Sequence, residues 1–321
     1  MEKTAIDSAK RSRLVVVGIP TFRRPQGLAR LLESIANQRV DFEVRVLVAD
    51  NDSEKQEGME TVARLQERGF RFPLEAFVVE ERGISQVRNA LMKRAFVEYQ
   101  ANSLAMLDDD EWAEEEWLAS LVRVQRLTKA DVVGGHVSAD FAVSPPEWLQ
   151  DLEGYPRKHR QRSGCVPLIY GTTNVLLSRS ILVRFPGQFF DPFYALVGRG
   201  DTEFFTRIKK LGAVFAFAHL ARSHEVFGAS RMTKAWARER AFCDGAGHMR
   251  IVIRDRPGLV GYLRELVTIV FASVLGAVRA ITNLEKSDRR MAGQILVMRQ
   301  LGKLSALLGR HKQVYKEVHG Q

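Results

Sequence analysis

Apolar runs alternate with amphipathic stretches along the first part of the chain. Short runs rich in β-branched residues predict buried strands, which we place at residues 13–19, 42–49, 74–79 and 103–107. Apolar residues at three- and four-residue spacing predict the intervening helices, at 25–37, 53–69 and 84–99. An alternation of this kind is typical of a parallel sheet with helices on both faces. The pattern therefore predicts an α/β fold.

The pattern becomes less regular after residue 110 but still predicts secondary structure. We expect helices at 114–128 and 201–211, and strands at 131–138, 172–177 and 213–218. Prolines and basic residues between 141 and 167 predict a long loop, and the chain beyond Arg231 is predicted to be wholly helical. Two residues are expected to mark element ends: Pro20 stops the first strand, and Ser53 caps the second helix.

The distribution of charge sets the C-terminal third apart. The chain carries a net charge of +10, and residues 221–321, with 18 basic and 8 acidic residues, hold all of it. Such a region favours an anionic partner, either a nucleic acid or an acidic membrane surface. The uncharged stretch Leu266–Val278 lies between Arg264 and Arg279. Since a membrane span needs roughly 20 apolar residues, this stretch is either a core helix or a helix in a membrane interface.

The N-terminus and the cysteines favour a cytoplasmic protein. Residues 1–13 are polar and charged and contain no apolar segment of the kind found in signal peptides. Cys165 and Cys243 lie far apart in the sequence and form neither a disulfide framework nor a metal motif. A reducing compartment is the simplest interpretation.

Polar clusters follow three of the predicted strands. They are Pro20-Thr21, Asp50-Asn51-Asp52 and Asp108-Asp109-Asp110, and the carboxyl ends of parallel strands meet in one cleft. Three adjacent carboxylates repel one another unless a cation or hydrogen-bond donors neutralise them. Oxygen ligands suit Mg²⁺ or Mn²⁺, whereas the alternative is a solvated acidic turn. The first strand is not followed by a glycine-rich dinucleotide or P-loop motif, which makes those chemistries unlikely candidates.

Six segments in this order resemble the family 2 glycosyltransferases, whose nucleotide-sugar-binding fold is called GT-A. Within that family the chain is most similar to bacterial exopolysaccharide transferases of the succinoglycan type, over about residues 13–250. The segments are Gly-Ile-Pro-Thr-Phe-Arg-Arg-Pro (18–25), Val-Ala-Asp-Asn-Asp-Ser (48–53), Gly-Ile-Ser-Gln-Val-Arg-Asn-Ala (83–90), Leu-Asp-Asp-Asp (107–110), Gly-Thr-Thr-Asn (171–174) and Gly-Asp-Thr-Glu-Phe-Phe (200–205). The resemblance implies a Rossmann-like, mostly parallel sheet with helices on both faces and a helical C-terminal extension.

The resemblance also implies a set of donor-binding residues. Asp50 would accept a hydrogen bond from the edge of the nucleotide base, Arg88 would approach the uracil or the diphosphate, and Asp108 would face the ribose. For Arg88 the alternative is a surface arginine on a helix. No individual role follows for Asp109. The full nucleotide-sugar-binding set is Pro20, Thr21, Asp50, Arg88, Asp108 and Asp109.

Metal and acceptor residues follow from the same resemblance. Asp110 would ligate a Mn²⁺ or Mg²⁺ ion that bridges the diphosphate, and His224 would complete its shell, unless it is a structural histidine. Asp201 would be the general base that takes a proton from the acceptor hydroxyl, unless it only caps a helix. Gly200 stands where the family usually has Glu, so Glu203 is the substitute base.

The leading hypothesis is an inverting, metal-dependent glycosyltransferase in cell-surface polysaccharide biosynthesis. It would move a single sugar from a UDP-sugar to a saccharide acceptor linked to polyprenyl diphosphate, because the Q-x-x-R-W motif of processive synthases is missing. The enzyme would be cytoplasmic and peripheral on the inner face of the membrane, with residues 1–12 loosely ordered, 13–230 catalytic and 231–321 a basic, membrane-associating helical region. No nucleic-acid partner is expected, since no reading motif is present.

Two alternatives remain open at this point. A sugar nucleotidyltransferase has a similar fold but needs a glycine-rich basic loop after the first strand, which Gly-Ile-Pro-Thr-Phe (18–22) does not provide. A catalytically silent sugar-nucleotide-binding or scaffold protein at the membrane is the other alternative. Gly200 supports it, whereas the intact acidic triplet and Asp201 oppose it.

Overall fold

A computed structural model describes residues 13–150, 161–187, 189–195, 198–283 and 287–309. The segment 1–12, for which the sequence predicts loose order, lies outside these residues. The strands that they form are β1 (Leu14–Thr21), β2 (Glu43–Asp50), β3 (Leu74–Val78), β4 (Ser103–Met106), β5 (Glu111–Ala113), β6 (Val132–Phe141), β7 (Gly164–Val166), β8 (Val175–Ser178) and β9 (Phe215–Phe227).

Helices fill most of the remaining described chain. They are α1 (Pro25–Ala36), α2 (Glu57–Glu67), α3 (Ile84–Lys93), α4 (Trp117–Thr128), α5 (Glu147–Gln150), α6 (Ser180–Arg184), α7 (Gly200–Lys210), α8 (Lys234–Asp255), α9 (Gly258–Thr282) and α10 (Ser287–Leu307). A π-helical turn at Arg94–Glu98 continues α3. The predicted strands and helices are therefore present, with shifted ends.

One sheet contains all nine of the strands found in the described residues. Its order is β3-β2-β1-β4-β8-β6-β9-β5, and β7 pairs with β9. The strands β1 to β4 pair in parallel, in the register Thr21 with Asp50 and Gly18 with Met106. Beyond β4 the sheet turns antiparallel, at β4 with β8, β8 with β6, and β7 with β9. The strand–helix rhythm predicts the parallel part, which brings the ends of β1, β2 and β4 to one edge.

Alternate residues of the central strands bury against helices on opposite faces. Val15, Val17 and Ile19 of β1 belong to the core under α1, α2 and α4. Val16 belongs to the core on the other face, with side chains of α3, α6 and α7. Both faces of the sheet are covered, which explains why the central strands are apolar at consecutive positions.

Two predicted element ends are wrong. Pro20 does not stop β1, because it still pairs with Ala49 of β2, while β4 accompanies β1 only as far as Gly18. Proline is tolerated where a strand has lost one neighbour. Ser53 does not cap α2, since that helix begins after Gln56, whose side chain makes no capping bond.

The described parts of the predicted loop, residues 141–150 and 161–167, contain more regular structure than the proline content predicts, and residues 151–160 lie outside the described chain. The strand β6 runs as far as Phe141, and α5 and β7 follow within the described residues. The strand predicted at 213–218 also continues much further, since β9 ends at Phe227. Antiparallel strands such as β6 and β9 lack the continuous apolar runs that identify parallel ones, so their limits are poorly encoded in the local pattern.

The chain forms two compact units. Within the described residues, the first runs through Val137 and adds Arg160–Phe190 and Phe204–His224, while the second takes in Ser138–His159, Asp191–Glu203 and the chain from Glu225 onward. In the second unit, α10 crosses α8 closely. A Cβ on Gly245 would lie 1.9 Å from the carbonyl oxygen of Arg299, and one on Gly302 would lie 1.9 Å from that of Phe242. Only glycine permits these backbone contacts.

Candidate active site

The acidic triplet occupies a tight turn between β4 and β5. The Asp108 N–H donates to Oε2 of Glu111 at 3.0 Å, and the Glu111 N–H donates back to the Asp108 carbonyl at 3.0 Å. Glu111 is fully buried and Asp109 is only 5% exposed. The triplet is therefore a structured part of the sheet edge and not a solvated turn.

Asp109 points into the protein and joins the triplet to the end of β1. Its Oδ2 accepts hydrogen bonds from Thr21 Oγ1 at 2.9 Å and from the Phe22 N–H at 3.2 Å. Its Oδ1 accepts a bond from Arg24 Nη1 at 2.9 Å. Burial raises the pKa of Asp109 to about 6, against the opposing charge of Arg24. The resemblance places Asp109 in the nucleotide-sugar-binding set without an individual role, and the structure shows its carboxylate as an internal anchor between Thr21, Phe22 and Arg24.

Arg24 makes a contact that the sequence does not predict. The same Nη1 that binds Asp109 lies 3.0 Å from Oδ2 of Asp110, so one guanidinium group bridges two members of the triplet. Gly27 lets α1 approach, because a Cβ there would lie 2.3 Å from the Asp109 carbonyl oxygen. The first turn after β1 thus supplies positive charge to the acidic cluster.

Arg88 projects from α3 and is only 8% exposed. Its Nη2 lies 3.4 Å from Oδ1 of Asp108, which is a long contact, and its buried Nε has no hydrogen-bond partner among the described residues. Asn51 fixes the start of this helix, because its Oδ1 accepts from the Gly83 N–H at 2.8 Å and its Nδ2 donates to the Val79 carbonyl at 2.9 Å. Arg88 is a buried cation with at least one N–H donor not used within the described residues. The alternative of an exposed helix arginine is therefore wrong.

Asp50 is fully buried at the end of β2. Its Oδ2 accepts from the N–H groups of Gly58 at 2.9 Å and Met59 at 3.3 Å, and its Oδ1 accepts from the Asp52 N–H at 2.9 Å. Burial raises the pKa of Asp50, and the backbone bonds oppose that rise. The side chain that binds the N–H groups at the start of α2 is therefore that of Asp50 and not that of Ser53. The contact of Asp50 with a nucleotide base stays a prediction.

Asn174 connects three elements, α4, β6 and β9, through its side-chain amide. Its Nδ2 donates to the carbonyls of His136 and Ala221, each at 2.9 Å, and to Ser223 Oγ at 3.0 Å. Its Oδ1 accepts from Trp117 Nε1 at 2.8 Å. Asn174 has a left-handed backbone with φ of 53°, a conformation that asparagine adopts more readily than most residues.

The Asn174 network continues to the acidic triplet. Ser223 Oγ donates to Oε1 of Glu111 at 3.0 Å, and Glu111 in turn holds the Asp108 N–H. The motif at 171–174 marks this segment in the sequence, but its role depends on contacts with residues distant in the chain. Asn174 is a positioning residue for the turn that carries Asp108.

His224 lies on β9 beside β5. Its ring stacks on Trp112 with centroids 4.0 Å apart, and its Nε2 lies 3.1 Å from Oε1 of Glu114. These contacts suit a structural histidine, and the metal role implied by the resemblance stays a prediction.

The candidate acceptor residues belong to the second compact unit. Asp201 lies in the first turn of α7, where its Oδ1 accepts from the Thr202 N–H at 2.7 Å. This bond is not the one that a helix cap makes, and Asp201 remains half-buried. Glu203 is only 8% exposed and, with burial, raises the pKa of Tyr194 to about 12. Of the two carboxylates, Asp201 is the more accessible.

Whether these residues can bind a divalent cation depends on which ligands complete its coordination shell. The described residues contain no group of three or more His, Cys, Asp or Glu side chains that could hold a metal alone. Asp108 and Asp110 retain 27% and 15% exposure of their side chains. One or two carboxylates with phosphate and water suit Mg²⁺ or Mn²⁺, so the residues fit an ion shared with a phosphate-bearing substrate.

Residues 16–185 match glycosyl transferase family 2. The succinoglycan biosynthesis protein ExoM of Rhizobium meliloti (strain 1021) is 30% identical over 302 residues, which cover 91% of this chain and 92% of ExoM. Among solved structures, GalNAc-T7 with UDP, GalNAc and Mn²⁺ has a TM-score of 0.53 at 14% identity, over 75% of this chain and 51% of that chain. S. aureus TarS in complex with UDP has a TM-score of 0.49 at 14% identity, over 96% and 95% of the two chains.

The α/β architecture, with its acidic turn at the end of β4, is the GT-A fold of nucleotide-diphospho-sugar transferases, and the likeness to GalNAc-T7 supports this fold. The chain belongs to glycosyl transferase family 2, because the family match covers more than half of it and ExoM is similar over nearly its whole length. It is therefore a glycosyltransferase.

Proposed function

We propose that this protein moves a single sugar from a UDP-sugar to a lipid-linked saccharide, with inversion at the anomeric carbon. The observation that carries the proposal is the pairing of Arg88 with the acidic triplet at the end of β4. A nine-tenths-buried arginine with an unpartnered Nε is poised to bind an anion. A diphosphate supplies such an anion, and it brings a cation-binding group to the adjacent carboxylates.

The donor would lie along the carboxyl ends of β1, β2 and β4. Arg88 would bind the diphosphate, and Asp108 would turn from Arg88 to the ribose. Pro20 and Thr21 would line the base pocket, which Asp109 supports from below through its bond to Thr21. Asp50 accepts hydrogen bonds from the N–H groups at the start of α2. In the proposed role it would also accept a hydrogen bond from the edge of the base.

Asp110 would hold Mn²⁺ or Mg²⁺ together with the diphosphate, and His224 is the second proposed ligand. When bound, such an ion supplies Lewis-acid stabilisation of the departing nucleotide. The chain's own residues must first free Asp110, since Arg24 occupies its Oδ2. A guanidinium that moves from Asp110 to a phosphate exchanges one anionic partner for another at little electrostatic cost.

Asp201 would act as the general base on the acceptor side. Its Oδ1 is engaged by Thr202, and its Oδ2 has no hydrogen-bond partner among the described residues. That oxygen would take the proton from the acceptor hydroxyl as the hydroxyl oxygen attacks the anomeric carbon and the bond to the diphosphate breaks. Glu203 is the substitute, although its burial beside Tyr194 favours a structural role.

The proposed acceptor and cellular location rest on the similarity to ExoM and on the positive charge of residues 221–321. The similarity to a succinoglycan biosynthesis protein supports a role in exopolysaccharide assembly, whose acceptor we propose to be a saccharide on polyprenyl diphosphate. The net charge of +10 within residues 221–321 would hold the enzyme against the anionic inner face of the cytoplasmic membrane.

The test separates donor binding from transfer. Binding of UDP and UDP-sugars is measured by calorimetry with Mn²⁺ or Mg²⁺, and UDP release is measured with membrane extract as acceptor. Asp201→Asn is expected to retain donor binding and lose transfer at least about a hundredfold, while Asp41→Asn, at an exposed position in the loop before β2, serves as the matched control. Full transfer by Asp201→Asn would move the base elsewhere.

The same assay addresses the two alternatives. A silent scaffold binds UDP-sugar but releases no UDP with any acceptor. A nucleotidyltransferase instead forms UDP-sugar and diphosphate from UTP and a sugar phosphate. Release of UDP that requires a saccharide acceptor distinguishes the proposed function from both.

A further inference from the structure

The helix α9 presents large apolar side chains to the outside. Among the helices of the described residues, α9 alone is long and apolar enough to cross a membrane. Only 11% of its most apolar 18-residue stretch is buried. Val260 is 81% exposed and Phe271 is 70% exposed. We call the α9 face the exposed apolar set Leu259, Val260, Leu263, Leu266, Val267, Val270, Phe271, Val274, Val278 and Ile281.

The inward side of α9 combines an ion pair, a glycine contact and one buried isoleucine. Glu265 is 12% exposed and its carboxylate pairs with Lys303 Nζ of α10 at 2.9 Å. Gly276 is buried, and a Cβ there would lie 2.9 Å from the carbonyl oxygen of Gly293. Ile269 is the other buried residue of the helix. The helix therefore meets α10 through an ion pair and a glycine contact.

This arrangement reverses the polarity of a helix in a water-soluble protein, which buries its apolar stripe and exposes its polar one. Helices that face lipid place small residues at helix contacts and turn ionisable groups inward to a partner. The geometry points to lipid acyl chains as the surroundings of the α9 face. We propose that α9 lies in the plane of an anionic bilayer with the α9 face among the acyl chains.

The helix lies in the membrane plane because its neighbours forbid a span. Arg264 and Arg279 are 15 positions apart, or about 22 Å along a helix, which is less than the roughly 30 Å of a bilayer core. The adjoining α10 carries the exposed residues Arg289, Arg290 and Arg299 and cannot follow α9 into the hydrocarbon. In-plane insertion lets arginines near the apolar face reach lipid phosphates.

Charge selects a bilayer over a second copy of this chain. Two copies that paired their α9 faces would bring together two regions with a net charge of +10 each, and like charges oppose such an approach. An anionic bilayer satisfies the apolar face and the surrounding cations together. The inference deepens the membrane contact of the proposed function and rests on it, but it does not depend on sugar transfer.

The first experiment measures partitioning of the full chain between buffer and vesicles. Binding is expected to vesicles of phosphatidylcholine with phosphatidylglycerol, and more weakly to phosphatidylcholine alone. Val267→Glu with Phe271→Glu should lower it by about a hundredfold or more, whereas Leu127→Glu with Val183→Glu should leave it unchanged. The control pair is equally exposed, at 78% and 79%, and lies outside the second unit.

The second experiment measures depth and the electrostatic component. Phe271→Trp should be quenched by phosphatidylcholine brominated on its acyl chains, while Val183→Trp should not be. Arg264→Gln with Arg279→Gln should weaken binding to the anionic vesicles by about thirtyfold and leave binding to phosphatidylcholine almost unchanged.

Three results would overturn the proposal. They are no binding to anionic vesicles at low salt, an unquenched Trp at position 271 despite binding, or a solution dimer that Val267→Glu with Phe271→Glu converts to monomer. The last result would assign the α9 face to a second copy. UDP binding is measured on the same samples, so a wild-type chain that binds UDP but not anionic vesicles refutes this inference alone.

Discussion

Replacement of Asn174 tests whether the motif at 171–174 acts through buried hydrogen bonds. Asn174→Ala leaves three buried groups without their partner: the Trp117 Nε1–H and the carbonyls of His136 and Ala221. Each unsatisfied group costs about 1–3 kcal/mol. Alanine with a left-handed backbone adds about 1 kcal/mol. Ser223 is spared, since it keeps Glu111 as a partner.

The expected loss for Asn174→Ala is about 4–10 kcal/mol, from three groups at about 1–3 kcal/mol each and about 1 kcal/mol of backbone strain. This is comparable with a protein's total stability of about 5–15 kcal/mol. Thermal unfolding followed by circular dichroism should shift downward by about 6–15 °C, at roughly 1.5 °C per kcal/mol for 321 residues. Asn174→Gly should recover about 1 kcal/mol of that loss, because glycine removes the backbone strain but not the missing bonds.

Asn174→Asp refines the test because it preserves shape. An aspartate accepts from Trp117 but cannot donate to the carbonyls of His136 and Ala221, so it should destabilise at least as much as alanine. Asn102→Ala is the matched control, since it removes one hydrogen bond at an exposed position, from the Leu14 N–H. Wild-type stability in Asn174→Asp would refute the network, and so would a loss no larger than that of Asn102→Ala.

Three further predictions concern the residues around the acidic triplet. Arg88→Met should weaken UDP binding at least about tenfold in calorimetry, with Arg88→Lys intermediate because it restores charge but not the fork; equal affinity would remove Arg88 from the donor site. In metal-free buffer, the unfolding free energy of wild type minus that of Asp109→Asn should fall from pH 4 to pH 7, by up to about 3 kcal/mol. This difference falls because the pKa of Asp109 in the folded protein, about 6, lies above the usual 3.8. The stabilisation by protonated Asp109 is therefore present below pH 3.8 and lost as pH rises through 6. A difference in unfolding free energy that does not change with pH in urea titrations would contradict this prediction. Gly58→Ala should destabilise by about 1–3 kcal/mol, because its Cβ would lie 2.7 Å from both Asp50 Oδ2 and Thr21 Cγ2, and an unchanged melting temperature would show that the turn can relax.

The sequence predicts those features that depend on local pattern. The parallel strands β1 to β4 are buried on both faces, so each reads as an apolar run, and the polar residues after them locate the sheet edge. This pattern predicts that Asp108, Asp109 and Asp110 lie beside Thr21, and the hydrogen bond between Thr21 and Asp109 confirms that proximity.

The direction in which an individual side chain points cannot be predicted from the local sequence pattern. Whether Asp109 or a neighbour turns inward depends on Arg24, which lies 85 positions away in the chain. The same limit applies to Asp50, whose carboxylate holds the start of α2 because that helix begins at Glu57. Such contacts arise only when distant elements pack together, and no local period encodes them.

The charge pattern of the C-terminal third predicts an anionic partner but not the environment of its apolar stretch. From the sequence, Leu266–Val278 is either a core helix or an interfacial one. The structure shows this stretch on α9 with its apolar side chains exposed, which removes the core interpretation. The ion pair between Glu265 and Lys303 could not be predicted, because it joins two helices through residues 38 positions apart.

Metal-dependent release of UDP is the most direct test of the central claim, that the end of β4 is the donor site of a glycosyltransferase. The measurement compares wild type with Asp110→Asn across a Mn²⁺ titration, using UDP-sugar and membrane extract. We expect wild-type activity to rise with Mn²⁺ and to vanish with chelator, and Asp110→Asn to remain at least about a hundredfold lower throughout. Equal activity of the two proteins at every Mn²⁺ concentration would contradict the account.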